Sequence, residues 1–393
     1  MNIHPSVPPA SDKPRYALLD GLRGVGALIV IFFHFGEAFA TSWVDQMVNH
    51  GYLAVDFFWI LSGFVIGYAY DSRWSKGMTS RRFMVRRVIR LQPMVILAAL
   101  LGLAAYLIQG SVRWDGTPVP FGAVTVALLL GLLMIPVIPG MGADVRGYAE
   151  MFPLNGPQWS LFFEYIGSIL YALFLHRLST RALRVWVFVS ALGVAACTIA
   201  NFSGGYTMGY GWSILGYDVI PAGGLVGGFL QMSFCFGIGL LLTRDFKSRR
   251  PLRGAFWICS LLLAGLCAAP YFASADGGIN PLNGVYDLAC TLFVLPAIVW
   301  LGARGATTDR FPTSLCETLG NLSYPIYIIH YPLMYLFYSW VWTNGISFDS
   351  AIPVMGCMLV AIPLLAWAAL KFYDEPLRRR LTDRWLSHRR DTR

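Results

Sequence analysis

Apolar runs long enough to cross a lipid bilayer recur along this chain, with short polar stretches between them. A membrane-spanning α-helix needs about 20 apolar residues, because each residue rises about 1.5 Å and the hydrocarbon core is about 30 Å thick. The hydropathy predicts eleven apolar segments: 16–37, 51–70, 93–109, 121–139, 157–176, 185–200, 223–243, 254–272, 285–302, 321–343 and 351–371. We therefore expect an all-α, polytopic integral membrane protein.

Lysines and arginines predict which loops face the cytoplasm, where these residues concentrate in membrane proteins. They form six groups, within residues 13–23, 73–90, 177–184, 244–253, 304–310 and 371–393. If all six are cytoplasmic, an even number of crossings separates consecutive groups, yet three apolar segments lie between Arg90 and Arg177. We assign segment 121–139, whose end reads "LMIPVIPGMG", as re-entrant or interfacial. About ten transmembrane helices then remain, with both termini cytoplasmic and only Arg113 and Arg146 in outer loops.

Composition agrees with a polytopic membrane protein and indicates the lipid bilayer as its surroundings. Hydrophobic residues make up 56% of the 393 residues and charged residues 13%. The net charge of +9 suits an anionic inner leaflet and requires no nucleic-acid partner. The seven cysteines lie singly, without the spacing of a zinc site, so we predict no metal. We expect one transmembrane domain, 16–371, between a cytoplasmic tail, 1–15, and a basic cytoplasmic tail, 372–393.

The first apolar segment carries two ionisable residues, which a membrane helix holds only at a cost. In "LLDGLRGVGALIVIFFHFGEAF" (18–39), Arg23 and His34 are eleven residues apart. This spacing puts them about 20° apart around one helix and about 16 Å apart along it. They therefore share a face, unless Arg23 and His34 separately reach headgroups and interfacial water. A cleaved signal peptide ending at "AFA" (38–40) is a further alternative, although nine more spans follow.

The chemistry of this pair indicates the two ends of one elongated substrate. An unperturbed histidine titrates at about pH 6.5 and can act as a general base toward a hydroxyl that attacks a carbonyl. Arginine stays charged, and its planar fork matches phosphate. Coenzyme A has this layout, because its phosphates lie at one end and its thioester at the tip of an extended arm.

Five ordered motifs resemble those of the acyltransferase family 3 membrane proteins. The first stretch resembles the family's Arg-x10-His signature, and "GYLAVDFFWILSGFVIGY" (51–68) resembles its second helix. "RRFMVRRVIRLQP" (81–93) is similar to its basic loop, "WSLFFEY" (159–165) to its Trp-Ser-Leu-x-x-Glu motif, and "LGNLSYPIYIIHYPL" (319–333) to its penultimate helix. "YDEPLRRRL" (373–381) matches the usual ending, so we expect the stand-alone form, without the esterase-like domain that some members add. The chain departs from the family at Ala54, Tyr165 and Pro325, of which the proline could kink its helix.

The resemblance implies a membrane O-acyltransferase, most simply an O-acetyltransferase, in the bacterial inner membrane. Its donor would be cytoplasmic acetyl-CoA or another acyl-CoA. Its acceptor would be a hydroxyl of a carbohydrate such as cell-surface polysaccharide, lipopolysaccharide, exopolysaccharide or a glycolipid. His34 corresponds to the family's catalytic histidine, acting as a base or as an acyl carrier, and Arg23 to its paired arginine.

Further candidate residues have both a functional and a structural interpretation. Glu164 lies at about the predicted depth of His34, where it would orient the imidazole for catalysis, or else it faces outer-loop water. Arg86, Arg87 and Arg90 either bind the donor's phosphates or only fix the topology. Arg87 and Arg90 lie one helical turn apart, which favours a joint phosphate contact.

A last group is expected near the substrate or in support of the catalytic residues. Asp20 is placed to pair with Arg23 at the inner mouth, and His330 is either a second polar group in the tunnel or a packing histidine. Asp56 is expected near the outer mouth. The full group is Asp20, Asp56, Ser62, Trp159, Ser160, Tyr324 and His330.

Two other function classes compete with this interpretation. Polar residues at several depths also describe a transporter of glycans or small molecules, but such folds are typically built from paired repeats, and we find no clear repeat. A membrane acyltransferase of another class, which moves fatty acyl chains onto proteins or lipids, leaves the register of Arg23 with His34 unexplained.

Overall fold

The computed structural model describes residues 16–42, 44–138, 140–147, 150–199, 223–246, 252–274, 280–305 and 310–386. Within these ranges all regular secondary structure is helical, as predicted. Two π-helical turns, Cys290–Val294 and Ala369–Asp374, each join two successive helices. The helices are α1 (Ala17–Glu37), α2 (Leu53–Trp74), α3 (Ser80–Ile108), α4 (Phe121–Leu132), α5 (Gln158–Leu173), α6 (Thr180–Ile199), α7 (Gly223–Asp245), α8 (Ala255–Cys267), α9 (Pro281–Ala289), α10 (Leu295–Ala303), α11 (Arg310–Asn344), α12 (Phe348–Ala368) and α13 (Glu375–Leu386).

Seven helical stretches among the described residues are long and apolar enough to cross a membrane. They are α1, α2, α3, α6, most of α7, α9 joined to α10, and α12 joined to α13. The protein is therefore a multi-pass membrane protein. Two further predicted spans form the shorter helices α5 and α8, of 16 and 13 residues. The remaining predicted span lies within the 35-residue α11, whose N-terminal part is polar. The ten crossings and the cytoplasmic termini therefore stay predictions.

The segment predicted not to cross, 121–139, forms only the 12-residue helix α4. Such a helix rises about 18 Å, which is less than the hydrocarbon thickness. The chain leaves the helix through Met134, whose φ of 57° is left-handed. This agrees with the assignment of the segment as re-entrant or interfacial.

Small residues let the two central helix pairs approach closely. α1 packs on α11, where a Cβ on Gly24 would clash with the backbone of Leu319, and one on Gly320 would clash with Asp20. α2 packs on α7, where a Cβ on Gly63 would clash with the carbonyl of Phe236. Close backbone approach is the usual basis of helix association in membranes, because lipid tails provide no hydrophobic drive between helices.

Two features of the C-terminal part add to the sequence-based expectation. α11 continues as one α-helix through Pro325 and Pro332, and a kink at Pro325 stays a prediction. The predicted tail, 372–393, is helical as far as Leu386, and α13 packs against α3. The basic C-terminal segment therefore lies beside the arginine-rich start of α3.

Candidate functional site

Two cavities follow one another along α1, α2 and α11. The outer cavity has a volume of about 560 Å³ and the inner cavity about 390 Å³. Val55 and Tyr327 line both, so the cavities adjoin at these two side chains. Together they form a path past the middle of the molecule.

One face of α1 lines this whole path. Asp20 and Arg23 face the inner cavity, whereas Val30, His34 and Glu37 face the outer one. These positions recur every three or four residues, the spacing of a single helical stripe. The prediction that Arg23 and His34 share a face is confirmed by this arrangement.

His34 is paired with a carboxylate on its own helix. Its Nδ1 lies 2.5 Å from Oε2 of Glu37, three residues later, and the Tyr338 hydroxyl donates to the same oxygen at 2.9 Å. An ionised carboxylate only accepts hydrogen bonds, so Nδ1 carries the proton in this pair. Nε2 is then the nitrogen with a free lone pair, which is the atom that a general base needs.

Two rings of α11 fix the plane of the His34 imidazole. The His330 ring stacks on it with centroids 5.3 Å apart, and the Tyr331 ring meets it edge-on at 4.7 Å. His330 is fully buried, and its Nδ1 donates to the carbonyl oxygen of Tyr327 at 2.7 Å. Of the two interpretations of His330, the structure supports the packing histidine.

Glu164 does not contact His34, contrary to the prediction. Arg87 Nη2 donates to Glu164 Oε1, and the Ser62 hydroxyl donates to the same oxygen at 3.0 Å. All three side chains line the inner cavity. The sequence placed Glu164 at the depth of His34, but Glu164 lines the inner cavity and His34 the outer one. The neighbours of Glu164 come from α3 and α2, which the sequence did not reveal.

The inner cavity collects cationic side chains. Arg23 Nη1 lies 3.6 Å from Asp20 Oδ1, which confirms the predicted pairing. Arg87 and Arg90 both line the cavity, whereas Arg86 is absent from its described lining. Three guanidinium groups therefore face two carboxylates, which leaves a net positive charge for an anionic ligand.

The remaining motif residues distribute over both cavities. Trp159 lines the outer cavity, and Ser62, Ser160 and Tyr324 line the inner one. At the junction, the hydroxyls of Ser160 and Tyr327 are hydrogen-bonded at 2.7 Å. The Tyr324 hydroxyl donates to the carbonyl oxygen of Leu91 at 2.7 Å and so ties α11 to α3.

Asp56 lies in neither cavity, contrary to the expectation that it would act near the outer mouth. It is 2% exposed and accepts hydrogen bonds from Gln231 Nε2 at 2.7 Å and from Thr291 Oγ1 at 2.9 Å. Buried carboxylates need such partners. Its contacts join α2 to α7 and to the turn after α9, so its role in this structure is in helix packing.

Sequence reasoning missed most of the outer cavity wall. Five aromatic residues of α11 line it at helical spacing, namely Tyr327, Tyr331, Tyr335, Tyr338 and Trp342. This spacing was a usable signal, because aromatic residues three and four apart lie on one face of a helix. Glu37 also had a signal, as it follows His34 by three residues. Trp114 and Glu150 had none, because loops bring them to the wall.

The loop that carries Glu150 is held by a buried arginine. The Arg146 guanidinium lies 3.3 Å from the centre of the Tyr335 ring and 5.0 Å from that of Trp114, and it is 1% exposed. Its Nε donates to the carbonyl oxygen of Pro153 at 2.7 Å. Burial raises the pKa of Glu150 to about 7, although nearby Arg146 opposes the rise.

His50, to which the sequence assigned no role, also supports this wall. It is fully buried, and its Nδ1 lies 2.8 Å from Asp287 Oδ1. The hydroxyl of Tyr52, a residue that lines the outer cavity, donates to Asp287 Oδ2 at 2.8 Å. The pair of His50 and Asp287, which joins the turn before α2 to α9, thus fixes one edge of the outer cavity.

The part of the chain that the structure describes contains no candidate metal-binding site. No group of three or more His, Cys, Asp or Glu side chains there is placed to hold a metal ion.

The fold and these cavities define a polytopic helical membrane protein with a buried ionisable site. Comparison with known proteins gives its family: the model of the acyltransferase 3 family, described as an acyltransferase domain, matches residues 16–371. The chain is also 36% identical over 170 residues to "Protein 2 in picA locus" of Rhizobium radiobacter, a match that covers 41% of this chain and 83% of that protein. No solved structure matches. The chain belongs to the acyltransferase 3 family.

Proposed function

We propose that this membrane acyltransferase moves an acyl group, most simply acetyl, from acyl-CoA in the inner cavity to a carbohydrate hydroxyl in the outer cavity. The observation that supports this most strongly is the pair of cavities that adjoin at Val55 and Tyr327, with the His34–Glu37 pair on one side and the arginines on the other. An acyltransferase must bring two substrates to one base, and this path offers an approach from each end.

The inner cavity suits the donor. Its net positive charge matches the phosphates of coenzyme A, and Arg23, Arg87 and Arg90 supply guanidinium donors for them. The Arg23 and His34 Cα atoms lie about 16 Å apart along α1. The extended arm of the donor would cover this interval and present its thioester near the junction of the cavities.

The proposed reaction needs one base and no further group. Nε2 of His34 takes the proton of the acceptor hydroxyl as its oxygen attacks the thioester carbonyl. A carbon–oxygen bond forms, the carbon–sulfur bond breaks, and the departing thiolate receives the proton from the imidazolium. Glu37 holds the proton on Nδ1 throughout and stabilises the imidazolium that forms.

The outer cavity suits a carbohydrate acceptor. Sugar rings present C–H groups that favour the negative face of aromatic rings, and this wall offers several tyrosines and tryptophans. The carboxylate of Glu37 and the carboxyl group of Glu150 both have oxygens that can accept hydrogen bonds from sugar hydroxyls. Polysaccharide, lipopolysaccharide, exopolysaccharide and glycolipid acceptors all share this chemistry.

The topology supports an orientation in the bacterial inner membrane. The inner cavity opens beside the arginine-rich start of α3, and basic segments favour the cytoplasmic side. The donor would then enter from the cytoplasm, and the acceptor would meet His34 toward the opposite face.

The proposal is tested by mass spectrometry of surface and lipid-linked glycans from cells with the intact gene, a deletion, and His34→Ala at matched expression. We expect both mutants to lose an acyl group from one glycan, with the undecorated glycan still exported. His176→Gln is the matched control, because His176 lies in the turn Leu175–Arg177, outside both cavities. Loss of the whole glycan from the surface would instead indicate transport, and unchanged glycans in every fraction would overturn the proposal.

A further inference from the structure

A third cavity, of about 320 Å³, opens beside the inner one. It lies where the beginning of α1 and the ends of α2 and α7 converge. Tyr16 and Tyr68 line both this side cavity and the inner cavity, so the two cavities adjoin. None of the reaction steps proposed above uses the side cavity.

Aromatic rings form one part of the wall of the side cavity. The Tyr16 ring meets Tyr68, Phe64 and Phe246 edge-on, at centroid distances of 4.7, 5.3 and 6.2 Å. In an edge-on pair the edge of one ring contacts a single face of the other, which leaves the opposite face for a flat aromatic ligand to stack on. Purine bases are ligands of this kind, and stacking on tyrosine or phenylalanine is a common way of binding them.

Polar groups form the other part of the wall. Asp71 accepts hydrogen bonds from the Tyr171 hydroxyl at 2.7 Å and from Arg244 Nε at 2.8 Å, which hold its carboxylate in place. Each carboxylate oxygen has more than one lone pair. Asp71 can therefore accept a further hydrogen bond, as from an exocyclic amino group of a base.

The positions along α1 match the order of groups in the donor. Tyr16 precedes Arg23 by seven residues, which is about 10 Å and within about 20° of two full turns. His34 follows Arg23 on the same face. An aromatic site, a cationic site and a base thus follow one another, as the adenine, the phosphates and the thioester do along acyl-CoA.

We propose that the side cavity binds the purine base of the donor nucleotide, with the base against Tyr68 and Phe246. This inference rests on the proposed use of acyl-CoA. It predicts that the protein distinguishes coenzyme A from 4′-phosphopantetheine, which has the same arm but lacks the adenosine together with two of the phosphates. The part of this preference that substitution of the aromatic residues removes reports the base.

The test is direct binding to the purified full chain in detergent, with coenzyme A and 4′-phosphopantetheine as the two probes. We expect coenzyme A to bind the wild type at least about tenfold more tightly, and Tyr68→Leu and Phe246→Leu each to reduce that ratio several-fold, since base stacking is lost. Tyr70→Leu is the matched control, because its ring packs on Phe83 and lines none of the three cavities.

The outcomes separate this inference from the proposed function. Equal affinity of the wild type for both probes, or a ratio unchanged in the two variants, would overturn the base site while leaving the donor assignment standing. If neither probe binds the wild type, the acyl-CoA assignment fails and the base site fails with it. Two variants are used because one of them could fail to fold. The other variant and the affinity ratio of the wild type for the two probes then still decide the test.

Discussion

The outer and inner cavities share one face of α1 but differ in chemistry. The outer cavity combines aromatic walls with a histidine and two acidic side chains, whereas the inner cavity combines three arginines with two carboxylates and with serine and tyrosine hydroxyls. One helix can therefore present a proton-transfer environment and an anion-binding environment about three turns apart. The comparison teaches that substitutions on the two sides should affect different kinetic constants.

The largest effect is expected at His34. Loss of a general base typically lowers turnover by about 10²- to 10⁴-fold, so His34→Ala should remove nearly all acyl transfer. Acyl-CoA binding should persist, because the arginines proposed to contact its phosphates lie in the other cavity. Measurements of the turnover number and of direct acyl-CoA binding check this. A parallel loss of turnover and binding would contradict separate roles for the two cavities.

A smaller loss is expected at the partner of His34. Glu37→Gln keeps the shape of the side chain but removes the charge that stabilises the imidazolium, so kcat should fall by about 10- to 100-fold with KM for the donor unchanged. Tyr338→Phe should cost less, since Glu37 keeps its contact with His34. A Glu37→Gln enzyme with wild-type kcat would show that the pair has no part in catalysis.

Substitutions in the inner cavity should instead change KM for acyl-CoA. Arg23→Ala and Arg90→Ala should each raise KM for acyl-CoA about tenfold, the effect of one charge-assisted hydrogen bond, with kcat little changed. Arg86→Ala is the matched control, because Arg86 lies on the same helix but not in the described cavity wall. Steady-state kinetics decide: equal KM values for Arg86→Ala and Arg90→Ala would contradict a specific phosphate site.

The smallest effect on activity is expected from Glu150, whose influence should appear in stability. The folded protein keeps a proton on Glu150 up to about pH 7, whereas the unfolded chain releases it near the ordinary value of 4.5. Stability should therefore fall as the pH rises through this window, by at most roughly 3 kcal/mol, and Glu150→Gln should flatten the dependence. Thermal unfolding in detergent between pH 5 and about pH 8 measures it, and identical profiles for both proteins would remove Glu150 as the cause.

The register of Arg23 with His34 was predictable because helix geometry follows from local backbone hydrogen bonds alone. The same rule placed Asp20 beside Arg23, and it could have placed Glu37 beside His34. Glu164 shows the limit of this reasoning. Position along α5 did not show which cavity Glu164 faces, and its partners, Arg87 and Ser62, depend on which helices lie next to α5.

By itself, the sequence determined the helical membrane class, the family, and the stripe on α1 that joins Arg23 to His34. Those properties depend on hydropathy, on motif order and on spacing within one helix. Only the tertiary structure decided that Glu164 faces the arginines, that His330 packs behind His34, and that loops bring Glu150 to the outer wall. Such contacts join residues far apart in the chain, and close packing between helices, which no local periodicity encodes, selects them.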